Sequence, residues 1–179
     1  MLKKLSDSEA TQIQHLVVQM AALREDRGYD FDHVWIQQKE WIVVPVEDTG
    51  HFAEEEINDI VSSLNSAGHF TCLAVGTPDL PPPLPRAYEM AVSVEDFRTF
   101  NAECGLFRFL LTDEKLLWAI SCNEWFNLFA GPPALVEAML GMSVAKARAD
   151  FLDYARLVEG GAEKGKLVQA AEEYLIGNY

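Results

Sequence analysis

The stretch from Leu106 to Ala130 constrains the fold most. Two apolar runs, Leu106 to Leu111 and Leu116 to Cys122, flank the polar turn Thr112-Asp113-Glu114-Lys115, and a third run, Trp125 to Ala130, follows Asn123-Glu124. Runs of this kind, parted only by turn residues, read as a β-meander. Other strand-like runs are expected at His33 to Ile36, Trp41 to Val46, Phe70 to Val75 and Ala87 to Val92. Because strands fall mostly in adjacent runs rather than alternating with helices, the chain is expected to be α+β, with an antiparallel or mixed sheet. Pro45 places its strand at an edge or a bulge.

Helices follow from apolar spacing. Ser6 or Ser8 caps a first one, with Ile13, Leu16, Val17, Met20 and Leu23 on one stripe before Gly28. A second opens near Thr49 or Gly50, repeats Ile57, Ile60, Val61 and Leu64 at i, i+3, i+4 and i+7, and stops at Gly68. Ser93 caps a third, with Asp96 at its N3 position, ending at Gly105. Three further helical stripes, through Leu135 to Leu140, Val144 to Val158 and Leu167 to Leu175, make the C-terminus helical.

At 179 residues and 49% hydrophobic, the chain suits one domain spanning 1–179, with a core large enough to need no metal or disulfide. Its formal charge of -14 repels phosphate backbones and anionic lipid, so neither nucleic acid nor a membrane is expected as a partner. Ser6, Asp7 and Glu9 stand where a signal peptide needs an apolar run, and Cys72, Cys104 and Cys122 are odd in number and widely spaced. A cytoplasmic location with reduced thiols is the expectation.

Each candidate site has a plain structural alternative. The corner Gly131-Pro132-Pro133 leads into a helix whose free amides at Ala134 and Leu135 suit an anion, but the prolines remove donors, so it reads as a strand-to-helix handover. His15, His33, His51 and His69 recur every 18 residues, and Gly-His-Phe occurs at 50–52 and 68–70. A helix between His51 and His69 separates them by about 20 Å, so they cannot share a metal. Pro82-Pro83-Leu84-Pro85 resembles ligands of proline-reading domains, yet it leads straight into a strand. Cys104 near a helix end and Cys122 at a strand end, followed by Asn123-Glu124, are the thiols near turns; a nucleophile needs a base, no catalytic motif marks one, and a partner distant in sequence is left open. No cofactor motif is present, and no cofactor is expected.

The acidic run Glu47, Asp48, Glu54, Glu55, Glu56 and Asp59 is the densest charge in the chain. Carboxylates in a first helical turn complement the macrodipole, but Glu47 and Asp48 precede the helix and are left for another purpose. The expected function is a non-enzymatic protein-binding module that presents these residues to a basic partner protein. Acidity and the lack of a catalytic signature make the chain similar in type to small immunity or antitoxin inhibitors, although no motif carries that likeness. The alternative is a sensor or enzyme whose pocket lies between the aromatic meander, at Trp118, Trp125 and Phe126, and the C-terminal helices. Homo-oligomerisation through an exposed last helix, ending in Tyr174, Leu175 and Tyr179, is the third reading.

Overall fold

A computed structural model describes residues 1–24, 28–47, 50–77, 87–105, 108–123, 125–158 and 161–176. In chain order these form β1 (Lys3–Lys4), α1 (Asp7–Val17), β2 (Ala21–Arg24), β3 (Gly28–Phe31), α2 (His33–Gln38), β4 (Ile42–Glu47), α3 (Glu54–Ser66), β5 (Thr71–Gly76) and β6 (Ala87–Ala91). Then come α4 (Val94–Cys104), β7 (Phe109–Thr112), β8 (Ala119–Cys122), β9 (Phe126–Gly131), α5 (Pro133–Leu140), α6 (Val144–Leu157) and α7 (Gly161–Ala171), which runs into a π-helical turn, Glu172–Ile176.

The fold is α+β with a helical C-terminus. Among the described residues, seven strands make one sheet in the order β1-β6-β5-β7-β8-β9-β4, antiparallel throughout, and β2-β3 form a separate hairpin. The register sorts side chains by face, because neighbours along a strand point to opposite sides. Val44, Phe129, Ile120, Leu111, Ala74 and Tyr88 lie in one row across six strands, and all belong to one core with Ile60 and Leu64 of α3, Phe97 and Phe100 of α4, and Val136 and Met139 of α5. The adjacent row, with Val43, Ala130, Ala119 and Leu73, faces a second core. There the hairpin (Tyr29, Phe31), α2 (Ile36), α6 (Phe151) and α7 (Leu167) cover the sheet.

Both outer strands are poor templates for further pairing. β1 is only two residues long and entirely lysine, while β4 carries Pro45, which cannot donate to a ladder. β4 therefore bears out the edge reading of Pro45.

Three local expectations are corrected. His33 to Ile36 is the start of helix α2 rather than a strand: Asp32 caps it, its Oδ1 accepting from the Trp35 amide at 2.8 Å, and burial of Ile36 fixes it against the second core. The β preference of Val, Trp and Ile yields there to a cap and to packing. α1 ends at Val17 and not beyond Leu23, because Ala21–Arg24 pairs with Gly28–Phe31, closed by the Asp32 amide donating to the Met20 carbonyl at 2.9 Å. α3 opens at Glu54, after Ala53, and Glu56 supplies the cap, its Oε2 accepting from the Ala53 amide at 2.6 Å.

Candidate functional site

α6 begins in the layer of α3 and α5, where Ala147 joins the first core, and ends in the opposite layer, where Phe151 and Ala155 join the second. It thus straddles the edge strand β4. Between β4, α5 and α6 a cleft of about 240 Å³ remains. Its floor is core: Phe129, Met139 and Phe151 line it, none more than 2% exposed. Met142 enters from the α5–α6 turn. That turn is tight because Gly141 takes φ +63° as the cap of α5, and Ser143 then caps α6, its Oγ accepting from the Lys146 amide at 3.2 Å.

Carboxylates from three elements rim the cleft: Glu47 at the end of β4, Glu56 in the first turn of α3, and Asp150 on α6. Asp150 is held by Lys146 Nζ at 2.5 Å. Asp59 adjoins the cleft, since its carboxylate lies against Gly141 where a Cβ would otherwise stand. The other acidic residues diverge. Glu54 turns to α4, where its carboxylate pairs with the Arg98 guanidinium, Nε donating to Oε2 at 2.9 Å. That hydrogen bond holds the Glu54 carboxyl below the ordinary glutamate range and raises Arg98. Glu55 is exposed and does not line the cleft, and Asp48 lies outside the described residues. Among the described residues Glu47, Glu55 and Asp59 form no ion pair.

Sequence reasoning missed Asp150, Met139, Met142 and Tyr154 as companions of Glu47, because they come from far along the chain. Only the helical stripes of α5, with Met139, and of α6, with Tyr154, were visible there, and a stripe does not say which edge it will cross.

Trp118, Trp125 and Phe126 do not converge on one cavity. Trp118 is fully buried in the first core and Phe126 fully buried in the second, on the opposite face of the sheet. Trp125 is partly buried against that same second core, so it and Phe126 pack on one side of the sheet rather than on either side of β9. Tyr174 is also buried, at 1% exposure, which removes it as an exposed oligomer contact, and Tyr179 lies outside the described residues.

The remaining candidates resolve as follows. Pro132 accepts from both the Leu135 and Val136 amides at 3.0 Å, so Leu135 keeps no amide for an anion at that corner. His51 and His69 flank opposite ends of α3, and His69 bonds Asp113. Among the described residues no group of three His, Cys, Asp or Glu side chains is placed to hold a metal ion. Burial drives the Cys72 thiol far up and also raises Cys104, which keeps both protonated and unreactive near neutral pH. The Pro82 to Pro85 segment lies outside the described residues, and no described helix is long and apolar enough to cross a membrane. Set against protein-family models, curated proteins and solved structures, the chain matches none of them.

Proposed function

We propose that this chain is a non-enzymatic binding protein that receives a basic segment of a partner protein at the cleft beside β4. One observation carries the reading: Glu47, Glu56 and Asp150, from three separate elements, meet at the mouth of an apolar cavity. A lysine or arginine side chain has the complementary form, an aliphatic stem to lie on Phe129, Met139 and Met142 and a cationic head to meet the carboxylates. The net charge of -14 adds long-range attraction that speeds encounter with a basic protein.

A second reading has its own support. Phe129 belongs to the meander, and Phe151 and Tyr154 belong to a C-terminal helix, so the cleft also suits a small cationic or amphipathic molecule wedged between those parts. Affinity capture from the host lysate at low and at high salt, with mass spectrometry for proteins and small molecules together, separates the two. A basic protein retained at low salt, released by high salt and lost with Glu47→Lys supports the first reading. Retention of a small molecule with no protein, lost with the same variant, replaces it with the second.

A further inference from the structure

At the other end of α3 a groove of about 790 Å³ runs between α3 and α5. Trp41, Leu117 and Leu135 give it apolar walls, and Ser62, Ser63 and Ser66 supply hydroxyls along α3. Among the described residues its charged or titratable lining side chains are Lys39 and His69, and no described carboxylate lines it. Both basic side chains are held in place. Lys39 Nζ stands over the Trp35 ring at 4.9 Å from the centroid. His69 Nδ1 bonds Asp113 Oδ2 at 2.8 Å, and Asp113 Oδ1 accepts from the Lys115 and Leu117 amides at 3.1 and 3.0 Å.

Asp113 is thereby occupied on both oxygens, and it lines the neighbouring hollow rather than the groove. The His69 ring also meets Trp118 edge-on, with centroids 6.4 Å apart. His69 is thus fixed by Nδ1 and one ring edge at the boundary between the groove and that hollow.

We propose that this groove binds a small organic acid with an apolar body. Lys39 supplies the charge that holds the anionic head, the serine hydroxyls donate hydrogen bonds to it, and the hydrocarbon body lies on Trp41, Leu117 and Leu135. The site is separate from the acid-rimmed cleft and does not depend on what the cleft binds. The two have opposite charge preference: an anion is repelled by Glu47, Glu56 and Asp150 and is accepted at the groove, which no described carboxylate lines.

Two fluorescent probes test the proposal on the full chain. Anilinonaphthalene sulfonate carries an aromatic body and one negative charge, and phenylnaphthylamine has the same body without the charge. The sulfonate should bind saturably at one site per chain and about tenfold more tightly than the neutral probe. Lys39→Glu should abolish that tenfold difference, and Ala138→Trp, which fills the groove from an exposed helical position, should abolish binding of both probes. Glu47→Lys should leave both affinities unchanged. Equal affinity for the two probes overturns the proposal, as does sulfonate binding that survives Ala138→Trp or that is altered by Glu47→Lys. Circular dichroism of each variant, unchanged from the parent, confirms that a lost signal is not lost fold.

Discussion

The two ends of α3 offer openings of different origin. At its N-terminal end the cleft is floored by core side chains, Phe129, Met139 and Phe151, each nearly inaccessible. At its C-terminal end the groove is walled largely by helix-surface positions, among them Ser62, Ser66, Ala134 and Ala138, all exposed. A cleft cut into the core ties recognition to stability, because the residues that shape it also hold the sheet to its helices. A groove walled mainly by exposed positions couples the two less, through Trp41 and the half-buried Leu135 alone among its apolar walls. Charge divides them as well, with carboxylates rimming the first and Lys39 and His69 lining the second.

The largest effect should come from truncating matching positions in the two regions. Phe129→Ala removes a side chain packed in the first core and should cost about 3–5 kcal/mol in urea unfolding. Leu135→Ala, at a half-buried position of the groove wall, should cost about 1 kcal/mol. Equal losses would break the distinction between core-floored cleft and surface groove.

Next in size is the turn that delivers Met142 to the cleft. Gly141 sits at φ +63°, where an L side chain is strained, and a methyl there would also meet the Asp59 carboxylate. Gly141→Ala should therefore cost about 1–2 kcal/mol. Pairing it with Asp59→Ala should recover part of that loss, the part due to collision, and leave the backbone strain. Full recovery would mean that the left-handed cap contributes nothing.

Smaller still are the charge reversals. Glu47→Lys and Lys39→Glu both fall on exposed side chains and should each alter unfolding free energy by no more than about 0.5 kcal/mol. Their binding effects should be opposite in location: the first should slow association of a basic protein at low salt, and the second should spare it. If both reversals slowed that association equally, the overall field and not the cleft would be responsible.

The sequence made some of this legible and hid the rest for identifiable reasons. α3 was readable because Ile57, Ile60, Val61 and Leu64 repeat locally, and the meander because its turns are short and polar. α2 was misread because Val34, Trp35 and Ile36 favour strands in isolation, while the Asp32 cap and the burial of Ile36 decide the outcome. The pairing of Ala21–Arg24 with Gly28–Phe31 was missed because few of these residues alternate cleanly, and its register depends on tertiary contacts such as Ser121 Oγ donating to the Tyr29 carbonyl at 2.5 Å. For the site, proximity in sequence misled. Glu54 and Glu56 are two residues apart, yet one faces Arg98 and the other the cleft, whereas Asp150 joins Glu56 from a distant helix. Helical rotation separates near neighbours, and only the path of α6 over the sheet edge brings the distant one in.

The smallest effect concerns Glu54, the member of the acidic run that pairs with an arginine. Its hydrogen bond to Arg98 lowers its folded-state pKa from the ordinary glutamate value of 4.5. A carboxyl lowered on folding stabilises the fold above its unfolded value, and that contribution fades as pH falls through the folded one. Both partners are exposed, so solvent screens most of the interaction and the stability change should be slight. An NMR titration isolates it better than unfolding does: the Glu54 side-chain carboxyl should titrate below 4.5, and Arg98→Ala should move its midpoint up. An unmoved midpoint would mean that the pair does not persist in solution, and the Glu54 charge would then be unanswered. In that case Glu54→Lys should weaken capture of a basic protein as much as Glu47→Lys does. With the pair intact, Glu54→Lys should weaken it less, because Arg98 already answers that charge.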